Sequence, residues 1–172
     1  MTLKDSFNRP VSNLRVSLTP KCNLSCIYCH REGENLPGAP LSGTEIAEVL
    51  RVAAGFGIRR VKCTGGEPTL RPDLIEIIKS VPDSMESSIT TNGTLLAGLA
   101  SDLKQAGLRR VNVSIDSLNP ATYKKIAGTD RLADVLEGID AAIATGLTPV
   151  KLNMVVLKGI NDHEIDDFLA YV

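Results

Sequence analysis

The chain has 172 residues, enough for one domain with a substantial core but fewer than the roughly 250 residues of a closed eight-fold (β/α) barrel. Its 19 Lys and Arg nearly balance its 20 Asp and Glu, so the overall charge does not favour nucleic acid or an anionic membrane as a partner. The amino-terminal MTLKDSFNRP has no apolar stretch after a basic one, and no run reaches the ~18 apolar residues of a membrane span. These features predict a cytoplasmic protein, in which clustered cysteines are more often metal ligands or catalytic groups than disulfides.

Short runs rich in β-branched and aliphatic residues alternate along the chain with longer stretches of helical periodicity. The predicted strands cover residues 14–18, 60–64, 87–90, 110–115 and 148–156. The predicted helices cover residues 44–56, 71–80, 94–107, 131–146 and 162–172. This alternation indicates repeated βαβ units and a parallel sheet within a single α/β domain.

Every predicted strand carries polar side chains at alternate positions. The polar set consists of Arg15, Ser17, Lys62, Thr64, Ser88, Thr90, Asn112, Ser114, Asp116, Lys151 and Asn153. A parallel strand covered by helices on both faces is almost continuously apolar, and unpaired charge cannot be buried under helices at tolerable cost. The polar face should therefore line a wet cavity. The sequence predicts a partial (β/α) barrel of about five units with a polar inner face and functional groups at the carboxyl ends of its strands.

The loop after the first predicted strand holds Cys22, Cys26 and Cys29 in a C-x3-C-x2-C pattern. Three thiolates suit an iron–sulfur cluster and leave the fourth iron of a [4Fe–4S] cube open to another ligand. A zinc site on these cysteines and His30 is an alternative, although adjacent Cys29 and His30 would then have to reach one ion. Haem c attachment at the C-x-x-C-H of residues 26–30 is another, typical of exported proteins, and buried structural thiols are a third. The fourth cysteine, Cys63, lies on the apolar side of its strand and is predicted to belong to the core.

The cysteine motif has Tyr28 before its last cysteine and is followed, after the second strand, by GGEP at residues 65–68. This combination resembles the radical S-adenosylmethionine (SAM) superfamily. The resemblance implies a [4Fe–4S] cluster on Cys22, Cys26 and Cys29 whose open iron binds SAM. It also implies that one electron from the cluster cleaves SAM to methionine and a 5′-deoxyadenosyl radical, which abstracts hydrogen from the substrate.

Longer blocks resemble the GTP 3′,8-cyclase family of molybdenum-cofactor biosynthesis, in its archaeal form. The matching blocks are RPVSNLRVSLTPKCNLSCIYCH, TGGEPTLRPDL, TTNGTLL, AGLRRVNVSIDSL and KLNMVVLKGIND. The resemblance implies GTP as substrate, a lyase reaction toward cyclic pyranopterin monophosphate, and a one-electron reductant of the ferredoxin or flavodoxin type as partner. Another radical SAM enzyme, such as a peptide or cofactor maturase, and a non-catalytic Cys3His zinc module remain alternatives.

The resemblance also implies roles for individual residues. The backbone of Tyr28 and of the Gly65–Gly66–Glu67 turn would contact SAM. Ser114 and Asp116 would lie beside it, although Asp116 is equally well explained as a solvated strand end. The positions that match GTP contacts are Arg15, Lys62, Thr90 and Lys151, with Arg60 adding to them from the start of the second strand unless it merely extends into solvent.

Two departures from the cyclase pattern limit the expected activity. The family has a longer chain with further cysteines that bind a second cluster near the purine, whereas no cysteine follows Cys63 here. Residues 1–172 are therefore expected to form an incomplete radical SAM core that lacks the second-cluster domain and cannot complete the cyclisation alone. An N-terminal fragment, a shortened polypeptide and a degenerate paralogue remain open. An incomplete barrel also leaves an unpaired edge at the fifth strand, which favours a homodimer.

Overall fold

A computed structural model describes residues 3–31 and 40–172. One parallel sheet contains five strands: β1 (Asn13–Ser17), β2 (Arg60–Thr64), β3 (Glu86–Thr91), β4 (Arg110–Ser114) and β5 (Val150–Asn153). The α-helices are α1 (Gly43–Gly55), α2 (Leu74–Lys79), α3 (Leu96–Gln105), α4 (Pro120–Ala127), α5 (Leu132–Ala144) and α6 (Ile165–Tyr171). Single 3-10 turns lie at Pro68–Leu70 and Asp162–Glu164. Within the described ranges, no helix is long and apolar enough to cross a membrane.

The strands lie side by side in chain order, from β1 at one edge to β5 at the other. Consecutive βα units of a barrel produce this order, whereas a doubly wound sheet reverses direction at a switch point. The predicted α/β class and partial barrel are therefore confirmed. Strand positions agree closely, except that β5 is shorter than the predicted 148–156, and the second predicted helix begins at Leu74 instead of residue 71.

Helix α4 was absent from the predicted elements, which left residues 116–130 without a helix. Its start has a clear chemical cause: the Asn119 side chain accepts hydrogen bonds from the backbone N–H groups of Ala121 and Thr122, and Pro120 occupies the first helical position. Its end is equally well defined, because Gly128 adopts φ 77° as the C-cap. A short helix therefore lies between β4 and α5.

The apolar side chains at alternate positions of the strands form the core beneath the helices. Val61, Ile89, Val111 and Val113 are at most 1% exposed, and Cys63 is fully buried among them. The prediction that Cys63 is a core residue is confirmed, and burial raises the pKa of its thiol to about 11. The opposite, polar parity remains open to solvent along β1 and β5 and partly open along β2.

Helices α3 and α5 approach each other closely at Gly138 of α5. A β-carbon at this position would lie 2.6 Å from the carbonyl oxygen of Gly93 and 3.0 Å from the Leu96 Cβ. Gly98 of α3, by contrast, has nothing within 4 Å of where a β-carbon would be placed. The two helix-interior glycines therefore form a matched pair. Close packing requires glycine at Gly138, whereas at Gly98 only the helix propensity of the residue matters.

We expect Gly138→Ala to lower the free energy of unfolding by about 1–3 kcal/mol, because the new methyl group forces the α3 and α5 helices apart. Gly98→Ala should raise it by about 0.5–1 kcal/mol, because alanine loses less backbone entropy in a helix. Urea denaturation of both variants measures the difference. Equal effects at the two positions would contradict the close packing at Gly138.

Candidate cofactor and substrate site

The cysteine loop and the GGEP turn meet at the carboxyl ends of β1 and β2. The backbone N–H of Gly66 donates to the Thr19 carbonyl at 2.7 Å, and the N–H of Glu67 donates to the Lys21 carbonyl at 2.7 Å. The start of the cysteine loop is thereby fixed to the turn that follows the neighbouring strand. Cys22 follows directly after this anchor.

The two glycines of this turn are required by the backbone that lies against them. A β-carbon on Gly65, whose φ is 141°, would stand 2.3 Å from the Thr19 carbonyl oxygen, and one on Gly66 would stand 2.4 Å from the Lys21 carbonyl oxygen. Both distances are shorter than any tolerated contact. Glycine was expected here to admit a ligand; the structure adds a second reason, the close approach of residues 19–21. Both glycines also remain exposed toward the cavity.

Glu67 is 1% exposed, and its carboxylate joins the ends of β2 and β3. One oxygen accepts from the Thr69 N–H at 2.9 Å, the Thr69 hydroxyl at 2.6 Å and the Thr91 hydroxyl at 2.7 Å. The other accepts from the Asn92 N–H at 2.6 Å. A buried carboxylate is tolerated when its lone pairs are occupied in this way. The side chain of Glu67 is thus committed to the protein, and its backbone is engaged as well, because its N–H donates to Lys21 and its carbonyl accepts from the Leu70 N–H at 3.2 Å.

Asn92 continues this network to the first cysteine. Its side-chain amide donates to the Asn23 side-chain oxygen at 2.8 Å and points toward the Cys22 sulfur at 3.9 Å. Asn23 in turn donates to the Thr94 hydroxyl at 2.9 Å. Residues 91–93 lie between a predicted strand and a predicted helix, and the sequence did not predict these contacts. The only available signal was the polar run TTNGT, which does not specify a partner 70 residues away.

The middle cysteine is held from the other side by α4. The backbone N–H groups of Ser25 and Ile27 donate to the carbonyls of Ala127 and Ile126, both at 3.0 Å. Cys26 lies between these two anchors and packs against the apolar core. Burial raises the pKa of its thiol to about 11, with smaller contributions from the negative charges of Asp116, Cys22 and Cys29. The last turn of α4 therefore determines where the cysteine loop runs.

A cavity of about 290 Å³ opens against the cysteine loop. Its lining includes Cys22, Tyr28, Cys29, Gly65 and Gly66. Backbone N–H groups already point at two of the sulfurs, from Leu24 to Cys22 and from Arg31 to Cys29, each at 3.4 Å. Two of the three cysteines, Cys22 and Cys29, line this cavity, and three thiols of one loop are a donor set that fits an iron–sulfur cluster. The described residues contain no group of three His, Cys, Asp or Glu side chains placed to hold a single metal ion.

Tyr28 and Asp116 form a second wall of this region. The Tyr28 hydroxyl donates to one Asp116 oxygen at 2.6 Å, and the other oxygen accepts from the Val155 N–H at 2.9 Å. Burial raises the pKa of Asp116 against the lowering effect of these bonds, and burial together with the Asp116 contact raises the pKa of Tyr28. Asp116 is 6% exposed, so it braces Tyr28 and the segment after β5. Ser114, two residues earlier, stays partly exposed on the polar face.

Polar side chains of neighbouring strands stand in register on the inner face. Arg15 is paired with Lys62, Lys62 with Ser88, and Ser88 with Arg110. A cavity of about 510 Å³ lies against this row, lined also by Arg60. Toward the carboxyl ends, the next row contains Thr90, Asn112 and Lys151. All five predicted substrate-contacting side chains thus belong to one face. Four of them lie in these two rows, and Arg60 lies in a third row nearer the amino end, where it pairs with Glu86.

Arg110 was missed as a candidate, although it has the same parity as Asn112 and could have been found by that rule. Its guanidinium lies 2.7 Å from Glu86, which also lies 3.9 Å from the guanidinium of Arg60. Glu86 is the one inward carboxylate of the five strand segments. The amino end of the face therefore carries an ion-paired cluster, and the middle carries the less neutralised Arg15 and Lys62.

A sequential parallel sheet with three loop thiols at its carboxyl end defines the fold and site of one class of protein. The family model for the radical SAM superfamily matches residues 16–172. The chain belongs to this superfamily, and its cofactors are a [4Fe–4S] cluster and SAM.

More specific similarity is found among curated proteins. The chain is 49% identical over 169 residues to a probable GTP 3′,8-cyclase of Archaeoglobus fulgidus, covering 98% of this chain and 57% of that protein. It is 53% identical over 171 residues to one of Thermococcus kodakarensis, covering 98% and 55%. The chain thus spans a little over half the length of the curated relatives it matches. Among solved structures, SuiB of Streptococcus suis shares the fold with a TM-score of 0.75 at 21% identity, covering 91% of this chain and 36% of SuiB.

We expect Glu67→Gln to lower the free energy of unfolding by about 1–3 kcal/mol. The new amide NH₂ group would face a buried N–H or O–H group whose hydrogen bond the carboxylate had accepted. Glu76→Gln is the matched control: the Glu76 side chain is 71% exposed and forms only a surface ion pair with Lys79, worth about 0–1 kcal/mol. Urea denaturation of the two variants measures the difference. Equal stability of Glu67→Gln and the parent would contradict the role assigned to this carboxylate.

Proposed function

We propose that this chain supplies the cluster-binding, SAM-binding and triphosphate-binding part of a GTP 3′,8-cyclase. One observation carries the proposal: two cations, Arg15 and Lys62, lie in register on the open face of the sheet whose carboxyl end holds the cysteine loop. The identity of about 50% to probable GTP 3′,8-cyclases supports the same reading. Other radical SAM enzymes share the fold, but a substrate without negative charge would give Arg15 and Lys62 no anionic partner.

In this proposal the thiolates of Cys22, Cys26 and Cys29 hold the cluster. When bound, the cluster supplies the single electron for reductive cleavage of SAM. The protein's own part is to fix the surroundings: Gly65 and Gly66 leave exposed backbone for the SAM amino group, and Asp116 holds the Tyr28 ring at the cavity wall. Ser114 completes the SAM contacts from β4. A rigid, partly closed cavity limits water around a reactive radical.

The triphosphate of GTP would lie along the two rows of the inner face. Arg15, Lys62 and Lys151 provide charge-assisted hydrogen bonds, and Thr90 provides a hydroxyl between them. Arg60 lies nearer the amino end, where its partner Glu86 would repel an anion that moved deeper. The position of Glu86 therefore defines where the phosphate chain stops, and it favours binding nearer the cysteine loop.

The proposal includes a one-electron protein reductant of the ferredoxin or flavodoxin type, because the cluster must be reduced for each cleavage of SAM. It also includes a homodimer formed through the free edge of β5. The apolar exposure just after β5 supports the homodimer, because Val155 and Val156 are 42% and 51% exposed.

Anaerobic reconstitution with iron and sulfide tests the cofactor site. We expect about four irons per chain and an electron paramagnetic resonance spectrum that changes when SAM is added. Cys29→Ala should lose the cluster, whereas Cys63→Ala, which removes a core thiol, should keep the full iron content. Stoichiometric zinc without visible absorption would contradict the proposal and favour the zinc module.

Equilibrium dialysis with GTP tests the cationic face. Lys62→Met should weaken GTP binding about 10- to 100-fold, the value of one charge-assisted hydrogen bond of about 1.5–3 kcal/mol. Lys79→Met removes an exposed lysine of α2 that pairs with Glu76, and it should leave binding unchanged. Inorganic triphosphate should compete with GTP, whereas guanosine should not. Competition by guanosine alone would contradict a triphosphate site on this face.

A further inference from the structure

Ile27 is a large apolar residue of the cysteine loop that remains on the surface. It follows Cys26 directly in the sequence and is 57% exposed. Its backbone is nevertheless fixed, because its N–H donates to the Ile126 carbonyl at 3.0 Å. An exposed apolar side chain is thus held at the last turn of α4, beside a proposed cluster ligand.

Positive charge accumulates on the two segments that meet at this point. Residues 19–31 and 117–129 contain four Lys and Arg, one His and no Asp or Glu, in a chain whose net charge is −1. The four cations are all exposed: Lys21, Arg31, Lys124 and Lys125. The cysteine loop and α4 therefore form a local cationic region on a protein that is nearly neutral overall.

Two of these cations lie next to Ile27 on the same turn of helix. Lys124 and Lys125 belong to the last turn of α4, the turn whose Ile126 carbonyl holds the Ile27 backbone. The Lys124 ammonium lies 3.7 Å from the Asp130 carboxylate, and Lys125 has no ion pair among the residues that the structure describes. We call Ile27, Lys124 and Lys125 the α4 surface. It combines an exposed apolar side chain with neighbouring cations, which is the composition of a small polar interface.

The α4 surface is separate from the cavity proposed for SAM. None of its three residues belongs to the described lining of that cavity, which includes Cys22, Tyr28 and Cys29 instead. A partner on the α4 surface would therefore contact the cysteine loop while SAM occupies the cavity. Reductive cleavage of SAM requires an electron source that does not displace SAM, and the α4 surface meets this condition.

We propose that the α4 surface is the docking site of a small acidic protein that carries one electron. The inference rests on the cluster site and the protein reductant proposed above, and it adds where that reductant binds. In this step the carrier is oxidised by one electron and the cluster is reduced by one, and no covalent bond forms or breaks.

Charge complementarity selects this partner. Cations around a contact site steer an acidic protein toward it and raise the association rate more than the final affinity. Ile27 provides the apolar contact that loses water when the carrier docks. A surface of this size is sufficient, because weak electron-transfer encounters bury less than about 1,200 Å² in total.

Flavodoxin hydroquinone is the probe, because it is an acidic protein that becomes the semiquinone by giving up one electron. Lys125→Glu reverses one charge of the α4 surface. Lys79→Glu is the matched control, since Lys79 is also an exposed lysine in the last turn of a helix, on α2. After anaerobic reconstitution, stopped-flow absorption follows reduction of the cluster. At low salt we expect the second-order rate constant to fall about 5- to 10-fold in Lys125→Glu, with Lys79→Glu close to the parent.

Two further measurements separate docking from damage to the cluster. Dithionite, which needs no protein interface, should reduce the cluster to the same extent in every variant, at equal iron content. Ile27→Ser removes the apolar contact without changing charge, so it should slow reduction by flavodoxin several-fold at every salt concentration. The effect of Lys125→Glu should instead disappear at high salt, where the charges are screened.

Equal rates in Lys125→Glu and Lys79→Glu at low salt would overturn the inference, as would a parent cluster that dithionite reduces and flavodoxin does not. A smaller sedimentation coefficient of Lys125→Glu than of the parent would also overturn it, because the α4 surface would then be a contact between copies of this chain. Failure of the parent to take up iron would overturn the cluster site itself, and that result is visible before flavodoxin is added.

Discussion

The carboxylate of Glu67 is the interaction on which the rest of the site depends. It accepts hydrogen bonds from Thr69 in its own turn and from Thr91 and Asn92 at the end of the next strand. A charge this deeply buried is stable only when every donor is present, so the turn and the strand end hold each other in one geometry. The cysteine loop is attached to the same unit through the N–H groups of Gly66 and Glu67. Loops from three strands therefore behave as one body.

The two sets of alternating side chains on the sheet have different roles: the apolar set stabilises the fold, and the polar set provides the candidate site. The apolar parity is buried under helices and includes Cys63 and Val113. The other set of alternating side chains is open to solvent along β1, β2 and β5, whereas Ser88 and Asn112 on β3 and β4 are buried. This exposure allows Arg15 and Lys62 to carry charge on a strand at little cost. A flat sheet covered on both sides could not keep such a row. The partial barrel is thus the architecture that the polar side chains require, and the same residues that exclude a second helical layer are those proposed to bind phosphate.

Periodicity predicted most of the fold because strand alternation and helical spacing are local properties of the sequence. Helix α4 was not predicted because its eight residues are too few for a clear helical period. Asn119, Pro120 and Gly128 nevertheless carry the signals of its start and end. The alternation of polar side chains along the strands could have predicted Arg110. It could not have predicted the buried hydrogen bonds of Glu67 and Asn92, because these join segments 24 to 70 residues apart that only the folded sheet brings together.

The backbone of the cysteine loop is attached to the rest of the protein at two places that involve no metal ligand, through Lys21 to the turn after β2 and through Ser25 and Ile27 to the end of α4. Fixing a loop in this way costs conformational entropy, and that cost is part of the folding of the chain. In small zinc-dependent domains the metal must order the polypeptide, and much of its binding energy is consumed by that task. Here two attachments of the loop come from the α/β core itself. Less of the binding energy of a cluster is then needed to order the polypeptide around it.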